Sequence, residues 1–222
     1  MKKVIFVACL FVLHSVSAQV TKILGDFSTV KVFDKISVKL VKANENKIVI
    51  TGSRAEDVEL VTKNNDLKIR MKFSKLLQGE EVTATLYYKF IDDVEASEGA
   101  YVSSEDVFKI TSINLNSKEG AHIKLNLEVQ RVNAKLHTGG IIELTGKASG
   151  QDVTITSGGI LKAKNLATSQ TEVSVNAGGE ADVNASELVD AKIRAGGNID
   201  IFGNPKQVNK KTTAGGSIEI RG

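Results

Sequence analysis

The chain of 222 residues has no Trp, three Tyr and eight Phe, so aromatics make up 5% of it. Sugar-binding sites built on exposed Trp platforms are thereby excluded. Cys9 is the only cysteine, which rules out an internal disulfide and any thiolate metal cluster. Pro205 is the only proline, so almost nothing interrupts a backbone ladder. Three histidines, His14, His122 and His137, fall short of a metal set. The longest apolar run, Val4 to Val12 and on to Leu13, is too short for a spanning helix, which needs roughly 20 residues.

That run has another use. Lys2 and Lys3 precede it and Val16-Ser17-Ala18 follow it, the pattern of a cleaved signal peptide over residues 1–18 with Gln19 as the new N-terminus. Ala8-Cys9 imitates a lipid-attachment site, but only Val4 to Ala8 precede it, too few for a hydrophobic region. Without Lys2 and Lys3 the 29 basic residues become 27, against 26 acids, a net charge of +1. Neither nucleic acid nor an anionic membrane is expected from so even a balance.

What the chain does have is glycine, 19 residues of it, much of it in pairs. Glu98-Gly99-Ala100 and Glu119-Gly120-Ala121 open a series. Gly139-Gly140, Gly158-Gly159, Gly178-Gly179, Gly196-Gly197 and Gly215-Gly216 continue it. The second positions, 100, 121, 140, 159, 179, 197 and 216, are 18–21 residues apart. A period in this range, kept over seven turns, marks a solenoid.

With that second position as zero, Val102, Ile123, Ile142, Leu161, Ala181, Ile199 and Ile218 stand at plus two. Ala96, Ser117, Leu136, Ile155, Val175, Ile193 and Thr212 stand at minus four. Polar residues alternate with them, the strand period of two, so each coil carries an inner apolar face and an outer polar one. The Gly pairs then read as stacked corners that need positive φ. Looser loops are expected halfway between them, at 147–151, 165–170, 185–188 and 203–207. Residues 19–95 read as N-terminal coils and a cap, with Asp34 at the zero position of a degenerate first coil. Residues 96–222 are the Gly-pair coils of the same single domain.

These features resemble a known bacterial family, the "putative auto-transporter adhesin, head GIN domain" proteins, whose function is unknown. The resemblance rests on Phe27-x-x-Val-x-Val, Ile36-Ser37-Val38-Lys39-Leu40, Leu67-Lys68-Ile69, the serial Gly-pair strands and Gly203-Asn204-Pro205-Lys206. It implies an all-β, right-handed parallel β-helix. It also implies export to the periplasm or outer surface of a Gram-negative, Bacteroidetes-like cell. No catalytic or binding residues come with it. No barrel sequence follows the last coil, so self-translocation is not expected.

Candidate chemistry is sparse. The outward acids Glu143, Asp182, Asp200 and Glu219 lie near one corner of different coils, where neighbouring coils are ~4.8 Å apart. Asp182 and Asp200 should be direct neighbours, more often solvated than cation-binding. Asp92, Asp93, Glu95 and Glu98 form an acidic edge, and Glu98 stacks on Glu119. His122 and His137 should face solvent. Tyr101, with Tyr87 or Tyr88 nearby, is the best candidate for stacking on a sugar. The Gly pairs match neither a Ca²⁺ nonapeptide roll nor a phosphate loop. No catalytic residue, metal or cofactor is assigned. The sequence favours a non-enzymatic, adhesin-like scaffold that contacts a protein or glycan and can self-associate through its flat Gly-rich face. A carbohydrate-binding or carbohydrate-active β-helix is the alternative, with a partner role in envelope stress sensing as a third option.

Overall fold

The computed structural model describes residues 19–221; the expected signal peptide, 1–18, lies outside them. The described chain is a β-solenoid of about seven turns, 69% strand and 3% helix. Five long strands carry most of it: β9 (Tyr101–Lys118), β10 (His122–His137), β11 (Ile141–Ile155), β12 (Ile160–Val175) and β13 (Glu180–Ala195). Each pairs in parallel with the next. The last coils are β14 (Asn198–Phe202), β15 (Gln207–Ala214) and β16 (Ser217–Ile220). As the alternation predicts, Ile123, Ile142, Leu161 and Ile199 are buried in one column, and Leu136, Ile155, Val175 and Ile193 in another. In the final coil Lys210, Thr212 and Ile220 are exposed instead.

The corners show why glycine comes in pairs. Gly139 has φ +74° and open space around the missing Cβ, so its requirement is conformational. Gly140 has no such φ, but a Cβ there would lie 2.1 Å from the Ser117 carbonyl oxygen, so its requirement is steric. Two backbone ladders knit the corners together. The N–H groups of Gly99, Gly120, Gly139, Gly158, Gly178 and Gly196 each donate to a carbonyl of the following coil, at 2.9–3.3 Å. The residue after each pair, from His122 to Ser217, donates to the zero-position carbonyl of the preceding coil, at 2.8–3.0 Å.

The expected loose loops between corners are mostly absent. β11, β12 and β13 run through them without a break. Their variable length is absorbed by register shifts at Lys124/Asn126, Glu143/Thr145, Lys162/Ala167 and Thr168/Gln170. A bulge bends a strand while leaving the flanking ladder paired. Only between β14 and β15 does the chain open, around Pro205, which has no N–H to give.

The N-terminal part differs from expectation in two ways. β2 (Thr29–Val32) and β3 (Ser37–Lys42) do form a coil, but Ile36, not Asp34, holds the zero position, since Val32 pairs Ala96 and Ser37 pairs Tyr101. Asp34 (φ 59°) and Lys35 (φ 62°) make the left-handed corner, and Lys35 N–H donates to the Glu98 carbonyl at 2.9 Å. The coil made by β6 (Asp66–Met71) and β7 (Thr83–Tyr88) stacks on the far side of β2–β3, so stacking order and chain order part company. Antiparallel pairing then closes this end: β5 (Val58–Lys63) on β6, β4 (Lys47–Thr51) on β7, and β1 (Gln19–Ile23) on β4. β8 (Asp93–Ala96) links this part to β9. Such a cap covers the unpaired edge that a parallel stack otherwise presents.

Candidate functional site

The register places the predicted acids on one outer face. Lys124 pairs Glu143, Glu143 pairs Lys162, Lys162 pairs Asp182, Asp182 pairs Asp200, and Asp200 pairs Glu219. Lys124 Nζ lies 2.7 Å from Glu143 Oε1, and that bond holds the Glu143 carboxyl below its ordinary range. Arg221 Nε lies 3.0 Å from Asp200 Oδ1. Asp182 is the exception. Burial, and after it the charge of Asp200, pushes its pKa up. A shallow depression of about 350 Å³ lies beside it, lined by Glu143, Lys162, Lys164, Glu180 and Asp182.

Tyr101 reaches this face through a residue that sequence reasoning set aside. Its ring meets the His122 ring edge-on, with centroids 5.2 Å apart. His122 Nε2 is 3.7 Å from Glu143 Oε2, too long for a hydrogen bond, and it is buried without a partner. Burial lowers the His122 pKa, so the ring is neutral at pH 7. Tyr88 is buried and stacks on Phe108 at 5.5 Å, while Tyr87 lies under the Lys47 ammonium at 4.8 Å. Neither makes these contacts with Tyr101, whose ring meets His122 instead.

The acidic edge also disperses. Glu95 pairs Lys118 at 2.9 Å, and Ser97 donates to Glu119 at 2.5 Å. Glu98 is pushed up by burial, with Asp34 and Glu119 adding to it. Among the described residues no three His, Cys, Asp or Glu side chains could hold a metal ion, and no helix is long and apolar enough to cross a membrane.

Asp182 offers a direct check of these electrostatics. With its folded pKa above the ordinary 3.8, the folded state binds more protons than the unfolded one in the window above that value. Stability therefore falls as pH rises through the window, and the loss persists at pH 7. Asp182→Asn should raise Tm at pH 7 and leave it unchanged at a pH well below 3.8, as scanning calorimetry at both pH values would show. A lower Tm at pH 7 would contradict the assignment.

A larger concavity lies where loops were expected. Ile110, Val129 and Ala148 pair in register across β9, β10 and β11 and form an aliphatic floor. Along one wall Glu128 sits between Lys109 at 3.3 Å and Lys147 at 3.0 Å. The depression there is about 520 Å³. It continues into one of about 580 Å³ beside Ser112, Gln130, Ser149 and Gln170. At its other end Phe90 (45% exposed) and Val107 (41% exposed) flank a third hollow of about 220 Å³. The first and third meet at Ile110 and make an apolar strip with a polar rim, while the second is lined by polar side chains and Gly150. Its residues owe their placement to the mid-strand bends, which no periodicity announces.

Three solved structures are similar over nearly their whole length. A putative adhesin from Bacteroides fragilis matches with TM-score 0.85 at 18% identity, covering 94% of this chain and 98% of that one. One from Parabacteroides merdae matches with TM-score 0.71 at 18% identity, over 93% and 96%. One from Parabacteroides distasonis matches with TM-score 0.74 at 18% identity, over 92% and 97%. At such identity the likeness shows the fold alone. Among curated proteins none is similar enough to count as a relative. The family model described as "Putative auto-transporter adhesin, head GIN domain" matches residues 26–205, from just before the first coil to Pro205, and the chain belongs to that family.

Proposed function

We propose that this is an exported, non-enzymatic, adhesin-like protein of the cell envelope, residues 19–222 forming one body once the leader 1–18 is removed. Its contact surface is the mid-strand groove, and the occupant is a protein. One observation carries this reading: the strip Phe90, Val107, Ile110, Val129 and Ala148 is apolar, and Lys109, Glu128, Lys147, Gln130 and Ser149 rim it. An apolar centre with a polar rim is the anatomy of a protein interface. The family description and the adhesin names of the similar structures support the adhesive part.

Several features weigh against catalysis. Glu143, Asp200 and Glu219 each lie against a cation, and Asp182 faces Asp200 along a flat sheet. A glycosidase instead needs two carboxyls across a bound sugar. Tyr101, Glu143, Asp182 and Asp200 are read as a secondary polar contact face.

The test is adhesion. Beads coated with the exported protein should adhere to protein-bearing cell surfaces, and Phe90→Ser/Val107→Ser should reduce adherence about tenfold, the loss expected for a few buried apolar contacts. Undiminished adherence by the variant would reject the groove. Adherence to protease-stripped cells or to immobilised glycans would favour the carbohydrate reading, and release of reducing ends from a polysaccharide panel would overturn the non-enzymatic one.

A further inference from the structure

Seven-fold repetition makes one corner conspicuous. Where the Gly coils turn in a few residues, the β6–β7 coil turns through residues 72–82, with a short 3₁₀ turn at Phe73–Lys75. This turn carries the most exposed large apolar side chain among the described residues, Phe73, and groups two exposed leucines with it. Phe73 is 89% exposed, Leu77 49% and Leu76 45%. Lys72 and Lys75 flank Phe73.

The loop is built to hold this shape. The buried Asp34 carboxylate accepts the Met71 N–H at 2.9 Å and the Leu77 N–H at 2.8 Å, clamping both ends of the turn. The Asp34 carbonyl accepts the Gly79 N–H at 3.0 Å. Leu77 is thereby kept at φ 60°, a left-handed conformation that leucine adopts only at a cost. Apolar side chains turned outward by a buried clamp, and against local strain, need an apolar medium on the outside.

We infer that residues 72–77 form a lipid-docking loop that inserts Phe73, Leu76 and Leu77 into the surface of an anionic bilayer, with Lys72 and Lys75 at the headgroups. The convex shape decides against a protein partner. A stable protein interface buries ~800 Å² on each side, more than three side chains on a loop tip provide. A bilayer yields around a convex tip, and amphipathic lysines reach back to its charged surface. Among the neighbouring acids Glu80 is bound by Lys35 at 2.7 Å and Glu81 accepts from Ser53, while Asp57 lies 3.7 Å from Lys72, an ion pair that Lys72 exchanges for a headgroup on docking. The near-zero net charge gives no reason to expect an anionic surface; the attraction is local to this loop. Docking here leaves the mid-strand groove free.

The full chain, expressed with its leader and purified after export with its N-terminus read by mass spectrometry, is mixed with vesicles of phosphatidylethanolamine and phosphatidylglycerol. It should co-sediment with them, and about tenfold less with phosphatidylcholine vesicles, as two lysines at an anionic surface imply. Phe73→Ser/Leu76→Ser should weaken partitioning by about a hundredfold, whereas Ile220→Ser, at an exposed apolar site elsewhere, should not change it. The chain has no Trp, so Phe73→Trp adds a single indole that can be excited apart from the three Tyr, and its emission should shift to the blue on adding vesicles. Failure to sediment, sedimentation that survives Phe73→Ser/Leu76→Ser, or an unshifted Phe73→Trp emission overturns the inference. Equal binding to phosphatidylcholine overturns the role given to Lys72 and Lys75.

Discussion

Gly140→Ala is expected to destabilise the protein by about 3 kcal/mol, the upper range for forcing extra atoms into a packed site. In a domain of this size that lowers Tm by roughly 6–12 °C. The new methyl would lie 2.1 Å from the Ser117 oxygen, 2.4 Å from its carbon and 2.8 Å from Lys118 nitrogen, all backbone. No rotamer change can relieve such a contact, and moving the backbone would break the corner ladders on both sides. Gly139→Ala is the control. Its methyl would meet nothing within 4 Å, so the expected loss is the left-handed cost of about 1–2 kcal/mol. Thermal melts of the two variants should keep this order. Reversal would mean that corner conformation, not coil spacing, limits the fold.

Asp34→Ala should cost about 3–5 kcal/mol, because the buried Met71 N–H and the part-buried Leu77 N–H lose a charged acceptor worth roughly 1.5–3 kcal/mol each. Alanine also tolerates φ 59° less well than aspartate does. Asp34→Asn keeps the left-handed preference and one acceptor oxygen, but turns an amide donor toward the other N–H. About half the loss is expected for it. Urea unfolding with hydrogen exchange would check both the total and its place. Lost protection should concentrate at Met71 and Leu77, whose N–H groups Asp34 holds. Uniform loss over all coils would show that the clamp is not local.

The inner columns were legible because strand parity is so forgiving. Placing the first coil's zero at Asp34 was wrong by two residues, yet Ile36 and Val38 still faced inward, since a slip of two preserves the face. The alternation likewise put Glu143, Asp182 and Asp200 on one side, and the structure aligns them. Other features depend on more than parity. Nothing in residues 66–88 says that β6 and β7 will stack backward on β2–β3, because that choice lies in the cap hairpins. The stretch 147–151 looks like a loop from its Ser149-Gly150 composition, but parallel neighbours on both sides keep it paired. The groove was missed for the same reason. His122 reads from its phase as solvent-facing, yet residues 101 and 122 stack in adjacent coils, and that register carries the signal for the contact between their rings.

The two corner ladders also set how the molecule bears load. They join coil to coil, so tension along the stacking axis pulls each bond lengthwise and opens coils in sequence from an end. Force across that axis instead shears whole strands, engaging many bonds at once. Anchored at its cap and pulled at its far end, the solenoid would unravel stepwise, as a shock absorber. Gripped by its flank, it would hold as a rigid strut.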